Sequence, residues 1–84
     1  MYKAEIYITL KEGVLDPQGS AVEKALHSMN FRGVQEVRIG KFMQVVLSAD
    51  SLEAANQQVK EMCDNLLANP VIEEYTFNLQ EVEK

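Results

Sequence analysis

The groups in this chain that could do chemistry are few: one histidine, one cysteine, two adjacent glutamates, and two cations around a glycine. His27 has no second histidine, and Phe31 rather than a carboxylate stands at i+4, so no helix-face ligand pair is available for a metal. It lies off the apolar positions of its helix and reads as a surface residue. Cys63 falls on an apolar stripe, where cysteine behaves as a small hydrophobe rather than a reactive thiolate. Glu73 and Glu74 are neighbours in a stretch with strand character, so they point to opposite faces and cannot cooperate as acid and base. Ser20 has no base near it in sequence and no strand–turn–helix elbow around it. Arg38, Gly40 and Lys41 could grip a phosphate or carboxylate, because charged donors and free N–H groups meet at tight turns. The simpler reading is hairpin chemistry with solvated charges. Gly13 to Gly19 lacks both the glycine spacing and the Lys-Ser/Thr of a phosphate-cradling loop. The chain carries no visible active site and no ATP site of its own.

The elements that position these groups are written plainly. Tyr2, Ala4, Ile6, Ile8 and Leu10 alternate with polar residues, which marks a half-buried strand. Asp16-Pro17 is a helix start: the carboxylate can accept first-turn N–H groups, and proline fits the first helical position. Ser20 with Glu23 offers an overlapping capping box. Ala21, Val22, Ala25, Leu26 and Met29 make the apolar stripe of this first helix, which Asn30 and Gly33 terminate. Val34–Ile39 and Phe42–Leu47 read as two strands joined by a type II′ turn, with Gly40 supplying the positive φ. Asp50 or Ser51 caps a second helix, whose stripe runs Leu52, Ala55, Val59, Met62, Cys63, Leu66, Leu67 up to Asn69-Pro70. Ile72–Leu79 is the last strand, with Tyr75, Phe77 and Leu79 on one face. Gln80 to Lys84 reads as a frayed charged tail.

The order strand, helix, strand, strand, helix, strand over residues 1–84 predicts one α+β domain. It would be a two-layer βαββαβ sandwich of the split βαβ, ferredoxin-like type, with an antiparallel four-stranded sheet and both helices on one face. Tyr7, Phe42 and Val46 on the other face, and a core that must be small at 84 residues, predict an oligomer. Eight basic against thirteen acidic residues give a net charge of −5, which disfavours nucleic acid and anionic membranes as partners. The absence of a long apolar run, of a signal-like start and of a second cysteine predicts a cytoplasmic protein. Two function classes stay open on these grounds: an interaction subunit, or a regulatory domain that binds an amino acid or similar ligand at a dimer interface.

Three stretches carry a family resemblance. Leu15-Asp-Pro-Gln-Gly19 followed by Ala21-Val22 and Ala25-Leu26, then Val37-Arg-Ile-Gly-Lys41, then Leu66-Leu-Ala-Asn-Pro-Val-Ile-Glu-Glu-Tyr75 together resemble the PurS family, the small subunit of phosphoribosylformylglycinamidine synthase. The helix stretch Val59 to Leu67 agrees. Asn30-Phe-Arg-Gly33 departs from the family's small-residue turn, and Glu74 stands where many relatives have aspartate. The resemblance implies an accessory part in purine biosynthesis. A large synthetase subunit would hold ATP, magnesium and the substrate, and a glutaminase subunit would release ammonia. The small subunit, a dimer or tetramer without catalytic residues, cofactor or metal of its own, would hold the two together. Asp16, Gln18, Gly19, Arg38, Lys41, Asn69, Glu73 and Tyr75 are the candidate interface residues under that reading.

Overall fold

The computed structural model describes residues 1–83. Strand β1, Tyr2–Leu10, is central in a three-stranded antiparallel sheet of order β2-β1-β3, flanked by β2, Lys41–Leu47, and β3, Glu73–Glu81. Ile6 stands opposite Met43 on one side and Phe77 on the other, so the inward faces of all three strands coincide. That register follows from the period-2 pattern: a slip of one residue would turn every apolar side chain to solvent.

Helix α2, Leu52–Met62, closes this face, capped by the Ser51 hydroxyl, which accepts from the Ala54 N–H at 3.1 Å. Ala4, Ile6 and Ile8 of β1 and Ala55, Val59 and Cys63 of the helical layer are essentially removed from solvent, with Met43, Val45, Tyr75, Phe77 and Leu79 packed around them. The last turn of this layer, Cys63–Leu67, is π-helical, and the Ala68 N–H donates to the Cys63 carbonyl at 3.0 Å. The wider turn shifts the phase of the stripe. Ala68 goes into the core, and Leu66, predicted on the apolar stripe, is instead 82% exposed.

Two predicted features differ in the structure. The sheet has three strands and not four: residues 34–39 run extended but pair with nothing, and there is no Gly40-Lys41 hairpin. Gly40 does not take a positive φ, which a type II′ turn demands. The chain instead passes straight from this segment into β2. Nor do both helices cover the sheet. Helix α1, Pro17–Ser28, contributes no residue to the core cluster, and its stripe residues Ala21, Val22, Ala25 and Met29 are exposed. Strand character also continues past the predicted end of β3 to Glu81, while Lys84 of the predicted tail lies outside the described residues.

The outcome is an elongated chain. Its radius of gyration is 16.5 Å, where a compact domain of this length has about 12 Å. Its accessible surface of 6201 Å² exceeds by roughly 1,200 Å² that of a compact monomer of this mass.

The π-helical shift yields a paired prediction. Val59→Ala, which empties a fully buried position, is expected to cost about 2–3 kcal/mol in urea unfolding. Leu66→Ala, although drawn from the same apparent stripe, should stay within about 0.5 kcal/mol of the parent.

Candidate functional site

The loop before α1 is organised by one carboxylate. Asp16 Oδ1 accepts the Gly19 N–H at 2.9 Å, and Oδ2 accepts the Ile39 N–H at 2.8 Å. The first bond is the predicted helix cap. The second, across a sequence separation that no local pattern encodes, ties the start of α1 to the returning segment. Gly19 sits so close to that segment that a Cβ would lie 2.1 Å from the Val37 carbonyl oxygen. Further along, His27 Nε2 lies 2.7 Å from the Val34 carbonyl oxygen and, as a donor there, pins the far end of α1 to the same segment. His27 is therefore half-buried and structural, not the free surface residue its position off the stripe suggests.

The candidate residues from distant parts of the chain converge at the end of the sheet where β1 finishes and β2 and β3 begin. Asp16, Gln18, Lys41 and Glu73 line one groove with Ile8, Thr9 and Gly40. Lys41 Nζ lies 3.7 Å from Glu73 Oε2, and Arg38 lies 3.8 Å from Glu36 and 3.9 Å from Glu74. These pairs are long, and each sets an exposed side chain against a largely shielded one, so they are weak contributors to stability. The Arg38 Nη2 group is shielded from solvent and has no hydrogen-bond partner among the described residues. Asn69 and Glu73 form a closed local circuit: the Asn69 N–H donates to Glu73 Oε1, the Val71 N–H to Asn69 Oδ1, and the Glu73 N–H to the Asn69 carbonyl. Lys11 braces the same corner, donating from Nζ to the Pro70 carbonyl at 2.7 Å. Tyr75 donates its hydroxyl to Asp64 Oδ1 at 2.7 Å. Lys11 and Asp64 were missed by sequence reasoning, because neither lies in a patterned stretch with its partner. Asp64 stands eleven residues before Tyr75, and the π-helical turn aims it there.

Three titratable groups depart from their ordinary acidity. The Asp16 carboxyl is held below its ordinary 3.8 chiefly by the Gly19 N–H and then the Ile39 N–H, opposed by partial desolvation, with smaller help from Gln18 and Arg38. The Tyr75 hydroxyl is pushed up to about 12, first by its hydrogen bond to Asp64 and then by burial, so at neutral pH it is a donor and not a base. Burial, and then the nearby Asp64 charge, pushes the Cys63 thiol up, which makes it a poor nucleophile. Among the described residues no cluster of histidine, cysteine and carboxylates could hold a metal ion. Nor, among these residues, is any helix long and apolar enough to cross a membrane. The corner carries charges of both signs, and most of its polar groups engage one another, which suits recognition.

Residues 3–81 match the family model for PurS, phosphoribosylformylglycinamidine (FGAM) synthase. The chain belongs to the PurS family. It is 54% identical over 82 residues to the phosphoribosylformylglycinamidine synthase subunit PurS of Bacillus subtilis, a match that covers 98% of this chain and 96% of the relative. Among solved structures, PurS of Methanocaldococcus jannaschii, described as one of the subunits of formylglycinamide ribonucleotide amidotransferase, superimposes with a TM-score of 0.87. The identity there is 40%, over 99% of this chain and all of the other. A chain of the structure named PurLQS from Thermotoga maritima superimposes with a TM-score of 0.85 at 33% identity, covering 94% of this chain and 96% of that one. The chain thus shares the overall fold of these structures, and the family reading of the sequence holds.

The Asp16 link sets a pH dependence. A carboxyl whose folded value is depressed contributes stability above its ordinary value, and that contribution is lost as pH falls through the lower folded value. The stability gap between the parent and Asp16→Asn is therefore expected to hold steady from neutral pH down to 3.8 and to close below it, as followed by urea unfolding at each pH.

Proposed function

We propose that this PurS-family subunit of phosphoribosylformylglycinamidine synthase acts by geometry rather than by chemistry. It holds the glutaminase and the large synthetase subunit in the arrangement that ammonia transfer needs. The single observation that carries this reading is the site just described. Its hydrogen-bonded carboxylates and hydroxyl form a preorganised surface at one end of the sheet, drawn from four separate stretches of chain. Preorganised polar corners favour binding because little ordering is left to do when a partner arrives.

Ammonia released into bulk water at neutral pH is mostly protonated and loses its nucleophilic lone pair. A scaffold that fixes the site of release against the site of use keeps the effective concentration of free ammonia high at the acceptor. ATP, magnesium and the substrate would be held by the large subunit, and glutamine by the glutaminase. The chain would work in a cytoplasmic complex and as a homo-oligomer; the exposed stripe of α1 and the excess surface of the single chain support self-association. Asp16, Gln18 and Gly19 in the first loop, Arg38 and Lys41 before and at the start of β2, and Asn69, Glu73 and Tyr75 at the corner are the interface residues of this reading.

Omission of the chain from a reconstituted synthase is expected to abolish most glutamine-dependent activity while sparing ammonia-dependent activity. Equal loss of both, or of neither, would contradict the coupling role. Arg38→Glu places a third carboxylate beside Glu36 and Glu74 and should weaken assembly at least tenfold in a pull-down titration. The thermal midpoint of the isolated subunit should move much less than assembly, since the pairs it removes are long and their carboxylate partners exposed. Full assembly and activity of this variant would remove Arg38 from the interface.

A further inference from the structure

Strand β3 forms a long, open edge of the sheet. It pairs with β1 alone, in unbroken register from Tyr2 opposite Glu81 to Leu10 opposite Glu73, with no bulge. Which of its backbone groups stay open follows from the flanking bonds. The Val82 N–H donates to the Met1 carbonyl and the Lys11 N–H to the Ile72 carbonyl, so even-numbered residues here turn their backbone toward β1. Odd-numbered ones turn theirs away. The Glu73 N–H is taken up by the Asn69 carbonyl, but Tyr75, Phe77, Leu79 and Glu81 have no outward backbone partner among the described residues. Natural sheets blunt such an edge with lysine, proline, a bulge or a short strand. β3 has none of these. Residues 75–80 at its centre are uncharged, and Tyr75, Phe77 and Leu79 are only partly covered on the helix side, the two rings stacked with centroids 6.2 Å apart.

Charge says what kind of strand fits there. Residues 61–83 hold six carboxylates, Glu61, Asp64, Glu73, Glu74, Glu81 and Glu83, and no basic residue. The rest of the chain carries eight basic residues against the other seven acidic ones. The whole negative excess therefore sits on β3 and the helical turns beside it, where Asp64 meets the Tyr75 hydroxyl. Arg38 and Lys41 approach Glu74 and Glu73 only loosely, at 3.9 and 3.7 Å. A second copy of the same strand fits badly. Antiparallel pairing over its full length sets Glu73 opposite Glu81 at both ends, like charge against like. A strand with basic ends meets no such penalty.

We infer that the open edge of β3 receives an extended strand of the large synthetase subunit, apolar where it lies beside Tyr75, Phe77 and Leu79 and basic at its two ends. Tyr75, Phe77, Leu79 and Glu81 supply the main-chain hydrogen bonds, which give affinity. The half-covered side chains accept alternate residues of the incoming strand, which gives selectivity. The acidic rim steers a basic segment to the edge and turns a second copy away. An edge the length of β3 runs about 30 Å, so its occupant must keep a strand of that length on its surface, which favours the larger of the two partners. The inference rests on the scaffold reading above and gives that scaffold one of its two attachments.

Amide hydrogen exchange on this chain, free and with the synthetase subunit added, tests the docking. Binding is expected to slow exchange about tenfold or more at Tyr75, Phe77, Leu79 and Glu81. Thr76, Asn78 and Gln80, already turned toward β1, should change little. Protection of that alternating set is the mark of an added strand. Synthetase binding without it would overturn this docking and leave the scaffold reading standing, whereas failure of the synthetase to bind at all would overturn both. Slow exchange at the same four positions in the free chain would assign the edge to a second copy and overturn the synthetase strand. Leu79→Pro removes one outward N–H and no bond to β1, as proline on an edge strand can. With parental circular dichroism, it should bind the synthetase about tenfold more weakly than the packing control Leu79→Ala. Equal affinities of the two variants would count against the pairing, as would an affinity indifferent to added salt.

Discussion

The Asp16 carboxylate governs how the outer half of this molecule is placed. One oxygen holds the first turn of α1 and the other holds the backbone where the chain returns, so a single side chain fixes an angle between two elements. The placement of α1 and of the segment before β2 follows from that fixture. It keeps α1 off the sheet, keeps residues 34–39 extended, and sets Arg38 and Lys41 at the end of the sheet beside Glu74 and Glu73. Gly19 makes the fixture possible, because no other side chain fits against the Val37 carbonyl. The Asp-Pro-Gln-Gly run is thus the specification of a joint rather than of a catalytic loop.

Much of this was legible in sequence. The alternation of β1 gave its buried face residue by residue, the Ser51 and Asp16 caps marked two helix starts, and Tyr75, Phe77 and Leu79 fell on the inward face of β3 as their spacing demanded. The misreadings have separate causes. Leu66 left the apolar stripe because a π-helical turn widened the period from Cys63 onward, and no local propensity signals such a turn. Residues 34–39 have the sequence of a strand, but the structure leaves them extended and outside the three-stranded sheet. Strand propensity reports a backbone suited to a sheet and says nothing of which edge will receive it. His27 was mistaken for a free surface group because its partner is a backbone carbonyl, and carbonyls have no sequence signature.

The same limits apply to the interface corner. That Asn69, Glu73 and Tyr75 sit near the end of α2 was visible, while the circuit joining them to Lys11 and Asp64 was not. Long-range polar contacts depend on tertiary geometry that a linear pattern does not carry.

The sheet order has a kinetic consequence. The central strand is the first element made, and its partners on either side are the third and the last. During synthesis β1 therefore remains half-paired at best until β3 emerges, with Ile6 and Ile8 lacking much of the surface that finally covers them. Such a topology has high contact order, so collapse waits for nearly the entire chain and folding is slow for its size.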